Sequence, residues 1–160
     1  MNKKEVATFA AGCFWGVEYR FSKVPGVLKA TSGYMGGHLA EPTYEDVCAE
    51  ESGHAEVVQV EFDPALVSYL QLLEVFWKMH DPTQVNRQGP DEGTQYRTAI
   101  FYHSPDQKNL AEQAKAHLNQ TKIYRAPVAT EITTAAQFWP AEEYHQKYLE
   151  KHPEVLCHIS

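Results

Sequence analysis

Strand-patterned and helix-patterned segments alternate along this chain in an order that leaves few folds open. The clearest segment is His54 to Phe62. His54, Glu56, Val58, Val60 and Phe62 fall on one face and Ala55, Val57, Gln59 and Glu61 on the other, the period-two signature of a strand, and Asp63-Pro64 stops it. Glu5 to Ala11, Leu28 to Tyr34, Thr98 to His103 and Val128 to Thr133 read as further short strands. Helical spacing marks Phe14 to Lys23 (Phe14, Val17, Phe21) and Tyr69 to His80 (Leu70, Leu73, Phe76, Trp77). Asp106 to Gln120 follows a Ser104-Pro105 start signal, and Pro140 to Lys151 opens with proline and two glutamates. The resulting order, β-α-β-β-α-β-α-β-α, predicts an α+β fold. Its expected architecture is a two-layer α/β plait with a ferredoxin-like core, with helices on one face of a mixed sheet and a C-terminal helix and tail as additions. No repeat or linker interrupts the 160 residues, so residues 1–160 are expected to form one domain.

Charge and cysteine usage narrow the function classes. A formal net charge of -7 argues against nucleic acid or an anionic membrane as the main partner. Three cysteines (Cys13, Cys48, Cys157) form neither a secreted disulfide framework nor a zinc ribbon, and there is no HExxH helix. No apolar run approaches the roughly 18 residues of a membrane span. The segment before Ala11-Gly12-Cys13 faintly resembles a lipoprotein cleavage site, but its apolar part, Val6 to Ala11, falls short of the usual h-region. A cytoplasmic enzyme is expected.

The chemistry centres on Gly12-Cys13-Phe14-Trp15-Gly16, at the junction of the first strand and first helix. Glycine permits a sharp turn and close approach of a ligand. A helix starting here offers amides and a dipole that favour a thiolate, and Phe14 and Trp15 can wall a small apolar pocket. A buried structural cysteine fits the same pattern, because a free thiol packs as a small hydrophobe. Glu56 aligns with an otherwise apolar strand face. It is either desolvated, with a raised pKa suited to a general acid, or it marks with His54 the solvated mouth of the strand. Tyr44 and Tyr96 are loop residues beside strands, where function often sits, and Asp91 on its own reads as a turn residue. Cys157 lies on a tail beyond the last helix, where a thiol can swing toward a partner. Cys48 reads as a bystander.

In order along the chain come Gly12-Cys13-Phe14-Trp15-Gly16, Pro25-Gly26-Val27, Gly33-Tyr34-Met35-Gly36-Gly37, Pro42-Thr43-Tyr44, Gly53-His54-Ala55-Glu56 and His80-Asp81-Pro82-Thr83. Arg87-Gln88-Gly89, Gly93-Thr94-Gln95-Tyr96-Arg97 and the stretch from Phe138-Trp139-Pro140 to Tyr144-His145-Gln146 follow. Together they resemble the peptide methionine sulfoxide reductase A family over nearly the whole chain. The resemblance implies a mixed-sheet plait and the reduction of methionine (S)-sulfoxide, free or in proteins, to methionine. It implies Cys13 as nucleophile, Glu56 as proton donor, Tyr44 and Tyr96 as donors to the sulfoxide oxygen, Phe14 and Trp15 around the methyl group, and Asp91 and His54 lining the pocket. It also implies a sulfenic acid on Cys13, a Cys13–Cys157 disulfide, and recycling by thioredoxin (or dithiothreitol) with no bound cofactor or metal, in a protein expected to be monomeric. Two features depart from the family pattern: the tail has no glycine before Cys157, and Pro90 stands where asparagine is usual. A thiol peroxidase using the same two cysteines and a non-catalytic module binding oxidised methionine are the alternatives.

Overall fold

A computed structural model of the chain describes residues 4–49 and 52–152. The elements run β1 (Glu5–Ala11), α1 (Phe14–Ser22), β2 (Val27–Met35), α2 (Tyr44–Cys48), β3 (Ala55–Phe62), α3 (Tyr69–Lys78), β4 (Arg87–Gln88) and β5 (Asp91–Glu92). They continue with β6 (Thr98–Tyr102), α4 (Pro105–Thr121), β7 (Glu131–Thr134), β8 (Trp139–Pro140) and α5 (Tyr148–Lys151). Six strands form one sheet in the order β7-β6-β1-β3-β2-β8, and β4 and β5 pair separately. The β6-β1-β3-β2 centre is antiparallel throughout, with α1 crossing from β1 to β2 and α3 from β3 to β6. This is the predicted plait. The parallel β6–β7 pair makes the sheet mixed.

Strand alternation sorts the core into two. Phe9, Val58, Val60 and Phe62 face the helices and join Phe21, Leu72, Leu73 and Phe76 in the larger cluster. Phe9 stacks on Phe21 at 5.0 Å and on Phe76 at 5.2 Å, burial worth about 2–3 kcal/mol for each such ring. The opposite face carries Ala10, Met35, Ala55, Val57, Ala99 and Phe101 and is covered by Ala135 and Phe138 rather than by a helix. Among the described residues no helix is long and apolar enough to cross a membrane.

The expected helix from Pro140 to Lys151 does not form. Pro140 pairs with Gly33 as an edge strand, and Glu143–His145 make one 3-10 turn. Lys147 adopts a left-handed φ of 55°, and only Tyr148–Lys151 is helical. Long-range bonds override the local pattern here. The Gln146 side chain accepts from the Ser32 amide and donates to the Ser32 and Ala141 carbonyls, and Lys147 N–H donates to Glu18. β7 also starts later than Val128, because the Val128 amide is taken by Asn119 and that of Ala129 by the Pro82 carbonyl.

Candidate active site

β1 ends in a turn that only glycine makes cheaply. Gly12 has a φ of +95°, and a Cβ there would stand 2.9 Å from the Gln88 side chain. The turn delivers Cys13 to the N-cap of α1. A helix leaves its first amides without intrahelical partners, and here two side chains use them. Phe14 N–H donates to Glu56 Oε1 at 3.2 Å, while the Trp15 and Gly16 amides point at the Cys13 sulfur.

Those amides lower the thiol pKa, as the sequence predicts, but they are outweighed. Burial, then the negative charge of Glu56, push Cys13 up to about 12, with a smaller contribution from Asp91. Glu56 itself is 1% exposed. Of its two readings, the desolvated one holds. Burial raises its carboxyl to about 8, with the Phe14 amide acting against the shift and Asp91 adding to it. Near neutrality the pair therefore rests as a thiol beside a protonated acid. Glu56 Oε2 is buried with no hydrogen-bond partner. A buried carboxyl oxygen without a partner costs about 1–3 kcal/mol and calls for an explanation.

Three tyrosines surround that carboxyl. Tyr34 lies opposite Glu56 in the β2–β3 register, and its hydroxyl donates to Glu142 Oε1 at 2.9 Å. Tyr44 opens α2 behind a Thr43–Asp46 capping box, and its own amide donates to Glu142 Oε2. Its hydroxyl donates to the Cys48 thiol, so Cys48 touches the site rather than standing apart from it. Tyr96 ends the 3-10 turn after Gly93. Burial first, then the Glu56 charge, raise both Tyr44 and Tyr96 above the usual phenol range, so each hydroxyl keeps its proton as a donor. Asp91 sits in the β4–β5 hairpin close enough to bear on Cys13, Glu56 and Tyr96.

Phe14 and Trp15 supply aromatic walls. Phe14 lies 5.7 Å from the Tyr34 ring and 6.3 Å from that of Tyr44. Trp15 Nε1–H donates to His145 Nδ1 at 2.9 Å, and its ring stacks on Tyr148 at 3.7 Å. Glu142, His145 and Tyr148, which shape the site without reaching its centre, were not singled out from the sequence. The Phe138 to Gln146 motif is the only signal for Glu142 and His145, and Tyr148 lies beyond it, because their roles depend on contacts about a hundred residues away.

His54 is a correction. It accepts the Gly37 amide at Nδ1 and donates from Nε2 to the Leu39 carbonyl, so neither ring nitrogen is left for a substrate. At 3% exposure it clasps the loop between β2 and β3 and so steadies Glu56 two residues on. Cys157 lies outside the described residues. Among those described, no three His, Cys, Asp or Glu side chains group as metal ligands.

Comparison with known proteins agrees with this geometry. Residues 5–160 match the model of the peptide methionine sulfoxide reductase family. The peptide methionine sulfoxide reductase MsrA of Geobacter sulfurreducens is 60% identical over 153 residues, covering 96% of this chain and 94% of that protein. The crystal structure of reduced Mxr1 from Saccharomyces cerevisiae superposes with a TM-score of 0.89 at 35% identity, over 95% of this chain and 87% of Mxr1. Mxr1 in complex with Trx2 aligns at a TM-score of 0.64 and 25% identity, over 91% and 85% of the two chains. With a half-buried thiol on a helix N-terminus, a buried acid beside it and matches this extensive, the chain belongs to the peptide methionine sulfoxide reductase family.

Proposed function

We propose that this protein reduces methionine (S)-sulfoxide, free or in oxidised proteins, to methionine, using Cys13 as the oxygen acceptor. The unpartnered Glu56 Oε2 carries the reading: it is a protonated, desolvated donor held one residue's hydrogen bond away from the thiol-bearing turn. A sulfoxide oxygen leaves poorly until protonated, so an acid must stand beside the nucleophile. Glu56 gives its proton to the oxygen while Tyr96 and Tyr44, whose hydroxyl turns from the Cys48 thiol to the substrate, donate to it, and the Cys13 sulfur attacks the substrate sulfur. The thiol proton returns to Glu56. In net terms the oxygen passes to Cys13, which becomes a sulfenic acid as the sulfoxide loses it, a two-electron exchange. Phe14 and Trp15 hold the methyl group, and Asp91 closes the pocket rim. Methyl, oxygen and sulfur then have three fixed stations, which the mirror-image sulfoxide cannot occupy together.

Cys157 resets the site. Its thiol displaces water from the sulfenic acid to give a Cys13–Cys157 disulfide, which a thioredoxin dithiol reduces. Support comes from the relative whose structure was solved with Trx2. The enzyme acts as a cytoplasmic monomer of one domain within the oxidative stress response. Assay of both sulfoxide epimers with dithiothreitol tests the reading: the S epimer is reduced and the R epimer is not. Equal turnover of the two overturns the stereochemical account. No turnover of either, with consumption of peroxide instead, overturns the function.

A further inference from the structure

Glu18 takes no part in the reduction described above, yet it is 3% exposed and lies one helical turn beyond Trp15 on α1. Its Oε1 accepts the Lys147 amide at 2.6 Å, and its Oε2 has no partner. Lys147 is held there in the left-handed region, at φ 55° and ψ 35°, which a residue with a side chain adopts only when its surroundings compel it. On either side of this kink stand the two residues that grip Trp15. His145 receives the indole N–H, and Tyr148 covers the ring at 3.7 Å with the planes 8° apart. Gln146 ties the same segment to β2 through Ser32, but Glu18 ties it to the helix that bears Cys13 and Trp15.

We infer that Glu18 is a positioning residue, one that fixes the Tyr148–His145 wall against Trp15 and thereby sets affinity for the substrate's methyl group. This rests on the reductase reading above. Without the Glu18 oxygen the Lys147 kink loses its anchor, Tyr148 leaves the indole face, and Trp15 gains rotamers that do not match the methyl socket. The bond Glu18 makes goes to the Lys147 amide and not to Cys13, Glu56, Tyr44 or Tyr96, so the chemical step is spared. Burial raises the Glu18 carboxyl to about 7, so near neutrality both its forms occur, and Oε1 accepts from Lys147 in either. An amide oxygen can do the same.

The test is steady-state reduction of a methionine (S)-sulfoxide peptide by Glu18→Ala and Glu18→Gln, each alone and combined with Trp15→Phe. Glu18→Ala is expected to raise KM about tenfold with kcat within about twofold, the size of one lost charge-assisted bond. Glu18→Gln keeps the acceptor and is expected to restore KM. In the Trp15→Phe background Glu18→Ala adds little, because its effect travels through Trp15. An unchanged KM in Glu18→Ala overturns the inference, as does the same KM rise in both backgrounds or a loss confined to kcat. If Glu18→Ala does not fold, Glu18→Asp withdraws the oxygen by one methylene and must show the same KM rise. A wild-type protein without activity on the peptide refutes the reductase reading instead, so the two failures are distinguishable.

Discussion

Replacing Glu56 with glutamine should change how the fold responds to pH as well as the rate. The unfolded chain ionises this carboxyl near its ordinary 4.5, whereas the folded chain holds the proton up to about 8. The folded state thus binds a proton that the unfolded state has released, and stability declines as pH rises through that window. Each unit of difference is worth about 1.4 kcal/mol. At pH 5 the loss is therefore small, and by pH 7 it reaches about 3 kcal/mol, a change of about 2–3 kcal/mol traceable to one side chain. Glutamine has no proton to lose, so Glu56→Gln lacks that part of the slope. The assay is urea unfolding of both proteins at pH 5 and pH 7, followed by tryptophan emission. Glu18 is also raised, but it is present in both proteins and drops out of the difference. The stability of Glu56→Gln relative to wild type should grow by about 2–3 kcal/mol from pH 5 to pH 7. A constant gap would mean that the folded carboxyl ionises at its ordinary value, and the proton-donor account would fall with it.

Four further substitutions follow from the same geometry. Tyr44→Phe and Tyr96→Phe each remove one donor to the sulfoxide oxygen and should lower kcat/KM by about 10- to 100-fold in a single-turnover assay; an unchanged rate would take that hydroxyl out of the oxygen site. His54→Ala leaves the Gly37 amide and the Leu39 carbonyl without partners and should cost about 2–3 kcal/mol of stability in urea, with KM for the folded fraction unaltered. Weaker substrate binding at full stability would return His54 to the substrate. Gly12→Ala sets a Cβ against Gln88 at a φ of +95°, so we expect about 1–3 kcal/mol lost and a misplaced Cys13, read by denaturation and by loss of activity.

Local pattern was enough to read five of the sheet's six strands, β8 being the exception, because their signals are local. β1 has the bounds the apolar run implies, and α4 begins where Ser104 caps the Gln107 amide. The alternation on β3 placed Glu56 among apolar neighbours but could not say whether the strand's mouth was wet or dry. Only the packing of α1 and of the Tyr34 and Tyr44 rings across it decides that. α2 was legible in principle, since Thr43 and Asp46 form a capping box, but five residues give too little periodicity to reveal it. The stretch after Pro140 misled for the opposite reason. Its proline and glutamates are a good local helix start, and bonds to Ser32, Tyr34 and Glu18 outweigh them. The helix N-terminus at Cys13 was legible as a source of positive potential. What it cannot disclose is that the first amide of the helix, that of Phe14, goes to a buried acid whose charge opposes a thiolate.

The central claim is that one oxygen atom moves from substrate to Cys13. Intact-mass analysis after one equivalent of methionine (S)-sulfoxide, without reductant and with Cys157 replaced by serine, tests it most directly. The account predicts one methionine released per chain and the mass of one oxygen atom added at the peptide containing Cys13, with no gain in Cys13→Ser. Methionine released with no oxygen on Cys13, or an oxygen on Cys48 instead, would contradict it.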